Sequence, residues 1–396
     1  QLPARSGGAV LSRDPRLWTK ACHAERPMAA ASHLCRPGRA MNALADSNSG
    51  TATVRPGYEL DLEVLDDWMR VNVAGYAGPL EIEQFKGGQS NPTYKLRTPG
   101  KTYVLRKQPP GPLLKGAHAL DREAKVLTGL SRAGFPVAAI HGLCTDPTVI
   151  GTIFYVMDMV EGRIFWDAAL PDVSRAERAA LFDAMNGTIA DLHSIDFTAI
   201  GLADYGRPGN YFERQIARWS RQYLEDTEAG RDPHMDRLVE WLPSHIPDGE
   251  ETSIVHGDFR LDNLIFHPTE PRILAVLDWE LSTLGHPGAD FAYHAMMYRM
   301  PPHIVAGLGG TDPAALGIAD EAAYLAAYCR RRGLAGMPGY DFYVAFNFFR
   351  LAAIFHGIKG RVIRGNASSA QARERVAVLP ELMRLAWQQA EKAGAQ

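Results

Sequence analysis

"HGDFRLDNLIFH" occupies residues 256–267, and "VLDWELSTLG" occupies residues 276–285. Ile254 and Val255 lead into the first stretch, and Leu264, Ile265 and Phe266 lead out of it. "ILAVLDWE" (273–280) then climbs back through a third apolar run. Runs this short, broken by Gly and Asp, predict buried strands around a loop. Asp258, Asn263 and Asp278 therefore fall at a turn and at strand ends, where side chains face a cleft.

Phosphoryl transfer from ATP asks a protein for few parts: a carboxylate for the attacking hydroxyl, oxygen ligands for Mg²⁺, and an anchored cation on the phosphates. Asp258 and Asn263 are five residues apart, the interval of the kinase loop H-R-D-x-x-x-x-N. Asp258 reads as the base, Asn263 as one metal ligand and Asp278 as the second. Asp and Asn beside Gly are also ordinary turn formers, so a lone HGD would read as structural. Three groups in this order with strand-like flanks read as catalysis.

Outward from this stretch, the chain divides into two kinds of text. "LDLEVLDDWMRVNV" (60–73) has helical spacing. "LEIEQFKGGQSNPTYKLRTPGKTYVLRKQP" (80–109) reads as three strands and two turns, broken at Gly87–Gly88, Asn91–Pro92 and Pro99–Gly100. The helix "LDREAKVLTGL" and the strand pair "VAAIHGLCTD" and "VIGTIFYVMDMV" follow. Beyond Glu161–Gly162 helical periodicity dominates, interrupted only by the opening stretches and their lead-in. This order predicts an α+β, bilobal, protein-kinase-like fold. A β-rich lobe spans residues 57–160 and a helical lobe 161–396, with residues 1–56 as tail and lead-in. The first forty residues are rich in Arg, Ala, Pro and Ser and lack a secretory apolar core. They read as a disordered tail or upstream extension before Met41, ahead of an organellar leader.

Composition narrows the class. With 396 residues, 46% hydrophobic and 22% charged, the chain is a folded protein large enough for two lobes. A net charge of −3 gives no support for nucleic-acid binding. Cys22, Cys35, Cys144 and Cys329 are scattered, with no metal-binding spacing. No apolar run approaches the roughly 20 residues of a membrane helix. The expectation is a soluble, cytoplasmic protein acting on a small molecule.

"HGDFRLDNLIF…VLDWE" resembles the signature of the aminoglycoside phosphotransferase superfamily of kinase-like enzymes. "GGQSNPTYKL", "YVLRKQPPG", "REAKVL", "FYVMDMVEGR" and "FRLAAIFHGIKGR" are similar to one branch of it. That branch includes the kinase-like domain fused at the amino end of acyl-CoA dehydrogenase family members 10 and 11. The resemblance covers about residues 57–390, and nothing in the chain resembles the dehydrogenase part. It implies ATP as phosphate donor with Mg²⁺, and it places Arg106 where kinases carry their phosphate-binding lysine. Strand alternation then turns Lys107 to the other face. Glu123, on the following helix, would pair with Arg106. Gly87, Gly88 and Ser90 would form the phosphate-covering turn, although GxGxxG is absent. "VMDMVEG" would be the hinge, with Met157 walling adenine, the Asp158 carbonyl and the Val160 N–H binding it. His256 would hold the loop, Asp290 would brace it and cap a helix, and His193 would be a packed histidine. The family often has an acid where this chain has His286, which puts a capping or metal role there in doubt. Arg260 and Asp262 receive no chemistry.

Two acceptor classes compete. Residues 161–396 hold 23 basic against 31 acidic side chains, mildly favourable to a cationic aminoglycoside. Against that, the helix expected to line the acceptor side carries Arg350, Lys359, Arg361 and Arg364 among Phe346, Phe348, Phe349, Ile354 and Phe355. Bases among aromatics suit an amphipathic anion such as a hydroxyacyl-CoA, and Arg350 and Arg361 are its candidate contacts. A solvated basic face is the plain alternative. A nucleotide-binding pseudokinase would have lost a catalytic group, and all three are present.

Overall fold

Strand signals between Thr51 and Asp158 resolve into one antiparallel sheet in the computed structural model, which describes residues 50–86, 91–109, 119–367 and 370–396. The expected phosphate-covering residues Gly87, Gly88 and Ser90 lie outside these, as does the tail before Gly50. The sheet contains β1 (Thr51–Ala52), β2 (Glu81–Phe85), β3 (Thr93–Arg97), β4 (Thr102–Lys107), β5 (Ile140–Cys144) and β6 (Phe154–Asp158), in the order β1-β2-β3-β4-β6-β5. Short alternating runs between Gly and Pro breakers favour this meander. Helix α1 (Leu62–Asn72) starts where the Asp61 side chain accepts from the Glu63 and Val64 N–H groups. It buries Leu65 and Met69 with Tyr94, Leu96, Leu105, Phe154 and Val156 of the sheet. Helix α2 (Leu120–Arg132) covers the site end of the sheet and buries Glu123 with its apolar face.

The chain leaves the sheet through Gly162. A Cβ there would lie 2.2 Å from the Phe266 carbonyl oxygen, so only glycine lets this crossing pack so closely. Arg163 and Phe266 exchange backbone hydrogen bonds of 2.8 Å just beyond it. The crossing is thereby fastened to the opening stretch of sequence.

Helices then dominate: α3 (Arg175–Ser194), α4 (Tyr211–Glu225) and α5 (Pro233–Trp241) precede the site stretch. The apolar runs of that stretch form two small antiparallel sheets. β7 (Ser253–Val255) pairs with β10 (Thr283–Gly285), and β8 (Leu264–Phe266) pairs with β9 (Ile273–Val276). After them come α6 (Pro287–Ala295), α7 (Pro313–Leu316), α8 (Glu321–Arg331), α9 (Tyr340–Ile363) and α10 (Ala370–Lys392). Helix α9 is buried over most of its circumference, with Phe346, Phe348, Phe349 and Phe355 in the core. None of the described helices is long and apolar enough to cross a membrane. Cys144 and Cys329 are buried free thiols. The described residues make up one compact unit, so sheet and helices share the cleft described next.

Candidate active site

The loop between β7 and β8 carries Asp258 and Asn263. It turns at Gly257, where φ is +82° and a Cβ would lie 2.9 Å from the Leu281 carbonyl oxygen. Glycine is required on both counts. Asp290, buried on α6, accepts the His256 N–H at 2.7 Å and the Gly257 N–H at 2.8 Å. Its Oδ2 also lies 3.1 Å from His193 Nε2, and His193 Nδ1 lies 2.7 Å from the Tyr328 hydroxyl. Burial opposes the Asp290 charge, but His193 and the loop N–H groups hold its carboxyl below the usual range. His256 closes the turn: Nε2 donates to the Leu277 carbonyl at 2.8 Å, and Nδ1 accepts the Asp258 N–H at 3.1 Å.

Asp258 is held on both oxygens. Asn263 Nδ2 donates to its carbonyl at 2.9 Å and to Oδ2 at 3.1 Å. Tyr293 of α6 donates its hydroxyl to Oδ1 at 2.5 Å, and Arg260 Nε lies 2.9 Å from the same oxygen. Arg260 Nη2 reaches Asp262 at 3.1 Å. Asp278 follows β9 in the left-handed region, at φ 63° and ψ 65°, a conformation that Asp tolerates better than most residues.

The sheet delivers the cation. Arg106, on β4, lies with Nε 3.3 Å from Glu123 Oε2, off the line of a hydrogen bond, while Nη2 donates to Asp278 Oδ1 at 2.9 Å. The same nitrogen is 3.6 Å from Glu280, whose Oε2 also accepts from Asn91 Nδ2 at 3.4 Å. Burial works against the Arg106 charge, but Glu123, Tyr155 and Asp278 outweigh it and hold the guanidinium charged. Burial pushes the Glu123 carboxyl up, against the pull of Arg106. Burial and then Asp278 raise Glu280 to about 7. A flat fork thus bridges the helix carboxylate and the carboxylate after β9, linking sheet to loop.

This arrangement of carboxylate, amide, second carboxylate and braced cation has the parts that group transfer to a hydroxyl calls for, and residues 81–346 match the pattern of the phosphotransferase enzyme family. The chain belongs to this family. It is 42% identical to mouse acyl-CoA dehydrogenase family member 10 over 87% of its own length, and 45% identical to chicken family member 11 over 82%. It spans only 32% and 43% of those two proteins. Among solved structures, a Ralstonia eutropha protein classed with the aminoglycoside phosphotransferases is 52% identical, with a TM-score of 0.79, covering 84% of this chain and 99% of that one. A choline kinase from Cryptosporidium parvum, 12% identical at a TM-score of 0.58 over 84% of this chain and 97% of its own, shares the kinase-like fold.

Other sequence expectations meet the family fold in different ways. Met157 and Asp158 end β6 and Val160 follows it, half-buried. The Asp158 N–H donates to Ala139 at 2.9 Å, and its carboxylate contacts Lys101 and His141, both at 2.7 Å. Two expectations need correction. The cap of α6 is His286, not Asp290: its Nδ1 accepts the Gly288 N–H at 3.1 Å. Burial lowers the His286 pKa, and the neutral ring is the form with an acceptor nitrogen. Arg350 is not an acceptor contact: it is buried in α9, donates to the Gly257 carbonyl at 2.8 Å, and lies 5.2 Å over the Tyr293 ring. It braces the catalytic loop from behind. Arg364 is engaged by Asp226 at 2.7 Å and Glu228 at 3.2 Å. Arg361 stays exposed, with no carboxylate at ion-pair distance among the described residues. The sequence reading left Tyr293, Arg260, Glu280 and Arg375 without roles. Only Arg260 and Glu280 lie inside a site motif and could have been suspected.

Proposed function

We propose that the protein transfers the γ-phosphoryl group of ATP to a hydroxyl of a small amphipathic anion, with a hydroxyacyl-CoA as the leading acceptor. In this reaction the acceptor oxygen attacks the γ-phosphorus, a new O–P bond forms, and the bond from that phosphorus to the β–γ bridging oxygen breaks to release ADP. The acceptor proton goes to Asp258, whose carboxylate Tyr293 and Asn263 hold in place. Arg106, anchored by Glu123, would bind the phosphates. Met157, Asp158 and Val160 would border adenine. Asn263 and Asp278 present oxygen donors suited to Mg²⁺. Among the described residues no group of three or more His, Cys, Asp and Glu could close round a metal, so phosphate oxygens and water would complete the shell. Mg²⁺ would offset phosphate charge as it develops.

The observation that carries the acceptor class is Arg260, 2.9 Å from Asp258, together with the exposed Arg361 of α9 and Arg375 of α10. Arg375, on α10, lies over the Phe355 ring at 5.8 Å. Arginines at these positions favour an acceptor with an anionic group and disfavour a polycation. The relatives fused to acyl-CoA dehydrogenases support a thioester as the source of that group.

Mg·ATP should stabilise the fold by about 2.7 kcal/mol at a hundredfold excess over its dissociation constant, read as a metal-dependent thermal shift. The deciding assay is ³²P transfer from Mg·[γ-³²P]ATP to hydroxyacyl-CoAs, aminoglycosides and choline. Labelling of the thioester supports the reading. Labelling of aminoglycosides alone replaces it with antibiotic phosphorylation.

A further inference from the structure

The catalytic loop sets a second cation beside the proposed base. Arg260 is extended, at φ −132° and ψ 158°, and Phe259 before it is fully buried. Side chains alternate along extended backbone, so Asp258 and Arg260 share the open side of the loop while Phe259 faces the core. Arg260 Nε lies 2.9 Å from Asp258 Oδ1, and Nη2 lies 3.1 Å from Asp262 Oδ2. Burial opposes the Arg260 charge, but Asp258 and Asp262 outweigh it and keep the guanidinium protonated. The side chain is still 34% exposed, so its head is open to a ligand in the cleft.

Orienting Asp258 does not account for this arginine. Tyr293 donates its hydroxyl to Oδ1 at 2.5 Å and Asn263 Nδ2 donates to Oδ2 at 3.1 Å, which fixes the carboxylate through both oxygens. Arg260 Nε is close to Oδ1 but off the line of a hydrogen bond. The transfer reaction itself has a use for the charge. Its transition state spreads negative charge over the equatorial oxygens of the moving phosphoryl group. Arg106 arrives from the sheet, tied to Glu123 and Asp278, and so serves the nucleotide half of the site. Arg260 arrives from the loop, on the half that holds the proposed base.

We propose that Arg260 is a catalytic residue whose guanidinium meets the phosphoryl group during transfer and offsets the charge building on its oxygens. The inference rests on the phosphotransferase reading given above. Arg260 forms and breaks no covalent bond and keeps its proton throughout. Asp262 holds it in advance, so little reorganisation is needed as the charge develops. The same charge still disfavours a polycationic acceptor, and the two assignments agree.

The test uses the full chain and needs no identified acceptor. Mg·ADP with aluminium fluoride mimics the planar phosphoryl group, and Mg²⁺ with a non-hydrolysable ATP analogue mimics the ground state. Both are titrated by calorimetry. In the native chain fluoride should tighten ADP binding by about tenfold or more. Arg260→Gln should lose most of that gain, while its affinity for the ATP analogue stays within about threefold of native. Arg260→Lys restores the charge without the planar fork and should recover part of the gain. Asp258→Asn is the control, because an arginine that only orients the base would matter no more than the base itself. An undiminished gain in Arg260→Gln, or an equal loss in Arg260→Gln and Asp258→Asn, overturns the inference. If Arg260→Gln does not fold, Asp262→Asn, which frees the guanidinium from its anchor, takes its place, and an undiminished gain there is the overturning result. Absence of a fluoride gain in native chain that binds the ATP analogue also overturns it. Failure of the analogue to bind at all sinks the phosphotransferase reading beneath it.

Discussion

Asp258 and Asp278 are both carboxylates at the same cleft, yet their neighbours differ in kind. Asp258 accepts from Tyr293 and Asn263, so it is oriented for a hydroxyl. Asp278 gives Oδ1 to Arg106 and would share its carboxylate between that arginine and a metal ion when Mg·ATP binds. Asp258→Asn is therefore expected to abolish most turnover and leave the Mg·ATP dissociation constant within about twofold, since in the proposed reaction it would meet the acceptor and not the phosphates. Asp278→Asn should lose turnover and metal-dependent binding together. Equal loss of nucleotide binding in the two variants would reverse the assignment. Arg106→Lys tests the fork. Separate nitrogens of Arg106 reach Glu123 at 3.3 Å and Asp278 at 2.9 Å, and a single ammonium is a point charge that lacks this planar span. We expect KM for ATP to rise about tenfold, equivalent to about 1.4 kcal/mol. An unchanged KM would show that charge alone suffices.

At the scale of elements, the catalytic loop is held in place by its surroundings. Asp290 and Arg350, from two helices, bind the backbone of residues 256 and 257, and Gly257 makes the turn. Gly257→Ala places a Cβ against the Leu281 carbonyl at positive φ. It should cost about 1–3 kcal/mol of stability and lower turnover further than that loss explains, because Asp258 is the next residue. A variant with native turnover and native melting temperature would mean the turn is not constrained. How much of this was legible follows from where each signal resides. Asp258, Asn263 and Asp278 lie within 21 residues of sequence, so spacing exposed them as a set. The Arg106–Glu123 approach was readable from the order strand then helix, once a kinase-like arrangement was assumed. Arg350 was misjudged because α9 is apolar on nearly every side, and such a helix has no polar face to mark which side an arginine takes. Tyr293 reaches the site from α6, a placement that only tertiary packing decides. The pairing of β7 with β10 around β8 and β9 was equally hidden, since three-residue strands carry almost no periodicity.

Across the whole molecule, the helical part stores buried neutral histidines behind the loop, and this makes stability depend on pH in a definite direction. His294 is buried, with Nε2 2.7 Å from the Tyr324 hydroxyl and its ring edge-on to Phe259 at 5.2 Å. Burial pushes its pKa down to about 4, from 6.5 in an unfolded chain. Burial also lowers His193 and His286. The unfolded state therefore binds more protons than the native state below pH 6.5, so stability falls as the pH is lowered. The contribution of His294 is fully present above 6.5 and is lost progressively as pH falls through 4. Its size is about 3 kcal/mol, at about 1.4 kcal/mol per pH unit. Urea midpoints measured between pH 8 and pH 4 should therefore drop for the native chain. His294→Gln removes the titrating ring and keeps a hydrogen-bonding side chain beside Tyr324. It should be less stable than native at pH 8, and the difference should shrink or change sign by pH 4. Carboxylates such as Asp290 titrate in both proteins, so the difference between the two curves isolates His294. Parallel curves would mean the ring is protonated, or solvated, in the native state. Because Phe259 follows Asp258 directly, the same protonation pushes on the catalytic loop. Turnover is then expected to decline on the acid side before global unfolding begins.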